Sequence, residues 1–378
     1  MNRREFTAAG AAAMVTCLSP AAGGAEPQPH RKWAPFATTL AIDGSAGIGR
    51  FPGREDGSLD ELDLGDARAS GLSAVILTLA PNGFPRYGEV ADARVNEQLA
   101  YWEGNLTRHP EAFARIATGA DLARAKRDGK VGLILGFQDS SPIGEDLERV
   151  AMFQRRGVRV IQLTHNPRNL VGDGCMEPGN AGLSAFGHQV VEQLNAHRIL
   201  VDVAHGGRRT TAEGIAASKA PVLISHTGCA ALADVPRCTT DQSLKAMADR
   251  GGVAGIVFWP YLSRKEQPTS EHAIRHIEHA INVCGEDHVG IGTDGSISAV
   301  NRTAQFEREN RELIARLVKE NIFDSGRPAD LYFFLPDLNH VRRFETLGAM
   351  LSARGHSDAR IEKILGGNFA RVMAEVWG

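Results

Sequence analysis

Eight short apolar runs alternate with stretches of helical composition, and this alternation restricts the folding of the chain more than anything else in it. The runs cover residues 38–42, 72–79, 130–137, 158–163, 199–203, 222–224, 252–258 and 289–292. Val, Ile and Leu dominate them, as in strands covered on both faces. Helical spacing or composition falls between them at 92–108, 122–127, 147–155, 186–197, 210–218, 244–250 and 270–283. Strands that alternate with helices run parallel, because a crossover has room for a helix and a hairpin does not. Eight such units close on themselves. The expected fold class is therefore α/β, a (β/α)8 TIM-type barrel. Further helices are expected at 301–320, 347–353, 358–365 and 368–376, the last packed on the barrel exterior. Residues 44–65, rich in Gly and Asp, read as a long loop.

The 378 residues are 43% hydrophobic and 23% charged, enough for one large core. A net charge of -3 leaves no basic field for nucleic acid or an acidic membrane surface. Beyond the N-terminus no apolar run reaches the roughly 18 residues that cross a bilayer. Residues 1–25 have the features of a twin-arginine export signal: Arg3-Arg4, Phe6, a weakly apolar run and a small-residue end at Ala25. The expectation is a bacterial chain handed to the twin-arginine export machinery, with a single periplasmic domain spanning 26–378. Export takes Cys17 away and leaves Cys175, Cys229, Cys238 and Cys284. Cys229 and Cys238 are the nearest pair for a disulfide, though buried or free thiols are the simpler reading.

Parallel barrels place their chemistry at the carboxyl ends of the strands. The run 199–203 leads to His205 and the run 222–224 to His226, joined by a helix that the pair Thr210-Thr211 could cap. Asp43, Gln138, Asp139, His165 and Asp294 follow other strands, and Arg237 lies a few residues into a loop. Imidazoles and carboxylates in that mixture suit a divalent metal that activates water. Asp294 could take a proton and pass it to a leaving amine. Arg237 could pair with a substrate carboxylate. His165 could polarise a carbonyl. His272, His276, His279 and His288, on or beside an amphipathic helix, read as surface residues.

Several segments together resemble the membrane (renal) dipeptidase family. They are Val201-Asp202-Val203-Ala204-His205, the run PVLISHT from Pro221 to Thr227, Pro236-Arg237 and Gly292-Thr293-Asp294-Gly295. Leu163-Thr164-His165-Asn166, Gly182-Leu183-Ser184 and the stretch from Gly366 to Val372 match as well, so the likeness runs from about 41 to 377. It implies a (β/α)8 barrel with a binuclear zinc site that hydrolyses dipeptides, and a homodimer. One metal would be held by His205 and His226. A bridging glutamate and a His-x-Asp pair after the first strand would hold the other. His165 and Arg237 would bind substrate, and Asp294 would transfer protons. This chain departs from that pattern: Ser45 and Gly47 stand where the His and Asp ligands are expected, and Gln138 replaces the glutamate. An alcohol and a neutral amide do not supply that charge, so at most one zinc is expected. Three readings follow. The first is an exported hydrolase of a dipeptide or small amide. The second is a metal-free acid–base enzyme acting on a periplasmic metabolite. The third is a non-catalytic protein that binds a small molecule.

Overall fold

The computed structural model describes residues 29–51, 53–54, 57–79, 86–320, 323 and 327–378. The expected export segment at 1–25 lies outside them. At the centre is a closed ring of eight parallel strands: β1 (Ile42–Asp43), β2 (Ala74–Thr78), β3 (Val131–Phe137), β4 (Val158–Gln162), β5 (Leu200–Asp202), β6 (Leu223–Thr227), β7 (Val253–Ile256) and β8 (Val289–Ile291). Each pairs with the next in sequence. The ring shuts where β1 pairs with β8, Asp43 opposite Ile291. All eight apolar runs of the sequence thus overlap a strand, although the first meets its strand only at Ile42, four residues later than expected. Its start is displaced because Ala34–Ala37, with Pro35 in its first positions, forms a 3-10 turn that Thr38 ends. A short strand absent from the sequence reading, Phe113–Arg115, pairs along the first half of β3.

Strand residues alternate between two environments, as the period of two demands. Val75, Leu77, Leu133, Leu135, Ile161, Val201, Ile224 and Ile291 pack outward against the helices. Ile42, Ile76, Ile134, Val160, Leu200, Leu223 and Val253 form an inner cluster. Phe369, Val372, Met373 and Trp377 of the last helix, Asn368–Trp377, belong to that inner cluster. This helix therefore closes the amino end of the ring rather than lying on its exterior. Asn368 donates to the carbonyls of Glu286 and Val289, and Arg371 to those of Gly251 and Asp287, all just before or at the start of β7 and β8. The Phe369 ring enters between Gly44 and Gly290, where an added Cβ would stand 2.6 and 2.5 Å from it.

Three local readings change. A helix, Glu61–Ser70, begins inside the stretch 44–65 expected to be a loop and runs beyond it, started by reciprocal capping between Asp60 and Asp63. The helix after β5, Arg208–Ala217, begins before the threonines and has Gly207 at its cap. Thr210 instead donates to the Asp173 carbonyl at 2.7 Å. On the helix Ser270–Cys284, His276 is buried rather than at the surface. Its Nδ1 accepts the Cys229 N–H at 2.9 Å and its Nε2 faces the Leu262 carbonyl at 3.0 Å. Cys175, Cys229, Cys238 and Cys284 are all free thiols.

Candidate metal centre

β5 and β6 are neighbours, so the residues at their carboxyl ends meet. His205 Nε2 and His226 Nε2 lie 2.8 Å apart, with the rings at 63°. Each ring is oriented from behind. His205 Nδ1 is 2.7 Å from Asn166 Oδ1 at the end of β4. His226 Nδ1 is 2.8 Å from Ser225 Oγ, which donates at 2.5 Å to Asp202 Oδ2. A carbonyl oxygen and a hydroxyl already committed as a donor both accept from Nδ1–H. That fixes the tautomer and leaves a lone pair on each Nε2. Two such nitrogens, 2.8 Å apart, are placed to share a cation, either a proton or a metal ion.

Asp294, following β8, completes the group. Its Oδ1 is 3.9 Å from His226 Nε2, and the three ligating atoms all lie within 4.8 Å of one another. His205 and Asp294 have φ of 60° and 54°, the left-handed region that non-glycine residues rarely occupy. Strain at two of the three donors is typical of a functional site. The Asp294 backbone is held there at both sides: its N–H donates to the Ser45 carbonyl at 2.8 Å, and its carbonyl accepts from Trp259 Nε1 at 2.7 Å. Burial raises the Asp294 carboxyl to about 6, against the opposing charge of Arg237. His205 and His226 are held well below the usual imidazole range, first by burial and then by Arg237. Both are thus neutral donors at ordinary pH.

The positions expected to hold a second metal are in the same cup but cannot bind one in that way. Gln138 Nε2 sits 3.2 Å from both His226 Nε2 and Asp294 Oδ1. Ser45 Oγ is 3.5 Å from Asp294 Oδ1. Gly47 brings only backbone, in a two-residue strand paired with Gly295–Ser296. The donor set fits one ion and not two.

His165 stacks on His205 with ring centres 4.2 Å apart, and burial lowers it to about 3. Arg237 is 4% exposed, packs over the Tyr261 ring, and sends one Nη2–H to the His226 carbonyl at 3.3 Å. Its buried Nε–H has no protein partner. Asp43 and Asp139 are braces rather than parts of the cup. Asp43 accepts from Thr293 N and Oγ1, and Asp139 from the backbone of Ser141 and His165. The orienting residues Asn166, Asp202 and Ser225 were not singled out by the sequence reading. A signal was present for Asp202, since a carboxylate inside an otherwise apolar strand must have buried partners.

Residues 55–327 match the sequence profile described as membrane dipeptidase (peptidase family M19). Among curated proteins the chain is similar to dipeptidase verJ of Clonostachys rogersoniana. The two are 30% identical over 273 residues, 72% of this chain and 62% of that one. Dipeptidase tcpJ of Claviceps purpurea is 29% identical over 260 residues, 68% and 53% of the two chains. The chain thus spans less than two thirds of the length of these relatives. Among solved structures, an amidohydrolase from Pseudomonas aeruginosa is 28% identical with a TM-score of 0.76, covering 91% of this chain and 98% of that one. A metallo peptidase from Rhodobacter sphaeroides, solved with a phosphinate mimic of the dipeptide L-Ala-D-Ala, has a TM-score of 0.71 over 90% and 100% of the two chains. At 19% identity it shows the shared fold alone.

Proposed function

Because this chain belongs to the membrane dipeptidase family, we propose that it hydrolyses a dipeptide or small amide with a single zinc ion. The observation that carries this reading is the convergence of His205, His226 and Asp294, whose ligating atoms all lie within 4.8 Å of one another. His205, His226 and Asp294 would hold the ion, which supplies Lewis acidity toward an amide carbonyl and acidifies water. One Asp294 oxygen suffices for the ion, so the other can take a proton and return it to the leaving amine. The unpartnered Nε–H of Arg237 suits a substrate carboxylate. His165, kept neutral against His205, can donate one ring N–H to a carbonyl oxygen as negative charge develops there. The proposal includes twin-arginine export, action in the periplasm and a homodimer.

Gln138 favours a second reading, metal-free acid–base chemistry, because an amide at that point lowers the negative charge that retains a cation. Metal analysis of the purified mature protein decides between them. We expect about one zinc per chain, with dipeptide hydrolysis lost on chelation and restored by zinc. A folded protein that contains no metal and takes up none would end the first reading.

A further inference from the structure

Asp294, but neither imidazole, also lines a cavity of about 250 Å³. Gly47, Phe51, Phe258, Trp259, Phe333 and Leu338 are among its walls, and Asp294 and Ser296 are at its rim. Trp259 and Phe333 are 5.6 Å apart, and Phe51 meets Phe333 edge-on at 5.8 Å. Two cations border it, but both are engaged elsewhere. Arg343 donates to the carbonyls of Ser296, Ile297, Ser298 and His340. Arg50 is tied to Asp60 and Asp63. What remains is an apolar, aromatic space that opens beside the proposed hydrolytic centre. It exceeds the roughly 150 Å³ that admits benzene into an engineered protein cavity.

We propose that this cavity is a specificity pocket for a bulky aromatic group, of one or two rings, on the substrate residue next to the hydrolysed amide. The inference rests on the hydrolase reading for its chemistry and on the cavity for its selectivity. Gly47 is the control point. It lies where the family resemblance puts an aspartate ligand, and a Cβ there would meet only the Gly295 carbonyl, at 3.9 Å. Small side chains at 47 leave the space open, and a large one fills it without crowding the backbone.

The test is equilibrium binding of phosphinate mimics of Ala-Ala, Phe-Ala and Ala-Phe to the zinc-loaded protein. One of the two Phe mimics should bind at least about tenfold more tightly than the Ala-Ala mimic. In Gly47→Leu that ratio should fall to near one. The three mimics share their contacts with the centre, so the ratio reports the pocket alone. A second arm uses chelated protein and 2-naphthamide, read as quenching of tryptophan fluorescence through Trp259. Quenching in the parent and not in Gly47→Leu supports the pocket even where no dipeptide is cleaved, an outcome that would sink only the hydrolase reading. Cleavage of Ala-Ala with no aromatic preference in any mimic overturns the pocket and leaves the hydrolase reading intact.

Discussion

Gln138 presents its amide nitrogen to a histidine lone pair and to a carboxylate at once, 3.2 Å from each. A neutral donor there satisfies both acceptors without a cation. Replacing it with glutamate sets a second carboxylate against Asp294 and beside His226, an arrangement that repels itself until a cation arrives. Gln138→Glu should therefore melt at a lower temperature than the parent in chelator, and gain more from zinc. Its zinc affinity, by calorimetric titration, should rise at least about tenfold. An unchanged affinity would mean that no ion lies within reach of residue 138. The sequence made His205, His226 and Asp294 legible through residue type and strand-end position, and the three ligand losses only through the family resemblance. It did not reveal the left-handed backbone at His205 and Asp294, nor the Asp202–Ser225–His226 chain. Both depend on how adjacent strands face one another, which pairing of distant residues decides.

The last helix shows what an element contributes beyond its own sequence. Its apolar face is plain in the sequence, but the pattern is the same whether the face covers a barrel's outside or its floor. The choice is made by Gly44 and Gly290, far away in the chain, which leave room for Phe369 inside the ring. Truncating this fully buried ring removes core contacts that no neighbour can replace. Phe369→Ala should cost about 3–5 kcal/mol, typical of a phenylalanine lost from a core, read as a lower urea midpoint with unchanged slope. A loss below about 1 kcal/mol would put the ring outside the packed interior. The strands were legible for the opposite reason: each is a continuous apolar run, covered on both faces whatever its neighbours. The helix Glu61–Ser70 was hidden because its start is acidic and its interior holds Gly65, features shared with loops.

For the whole molecule, the buried titratable groups set the response to acid. Burial depresses His276 and His340 to about 4 and His165 to about 3, and holds His205 and His226 well below their usual range. As pH falls below 6.5 the unfolded chain takes up protons at these five histidines before the native state does, so these groups make stability rise with pH. Burial acts oppositely on carboxyls. Asp43 is raised to about 7 and Asp294 to about 6, and Asp202 is raised as well. In the same window the native state keeps protons on Asp43 and Asp294 that the unfolded chain has released. Such contributions are full below pH 4 and fade as pH climbs. The histidines outnumber the carboxyls, so stability rises with pH overall, each net proton contributing about 1.4 kcal/mol per pH unit. Chelated protein should therefore resist urea better at pH 6.5 than at pH 4.5. His276 is the group to test, since it lies outside the candidate centre. Its ring must stay neutral because Nδ1 accepts the Cys229 N–H. A glutamine can accept and donate in the same place without titrating, so His276→Gln should flatten the acid slope by up to one proton. Zinc should steepen the slope in both proteins, because protons compete for the Nε2 atoms of His205 and His226. The difference between parent and His276→Gln should nevertheless persist unchanged. If the two slopes coincide, the buried helix histidine has no part in the acid sensitivity.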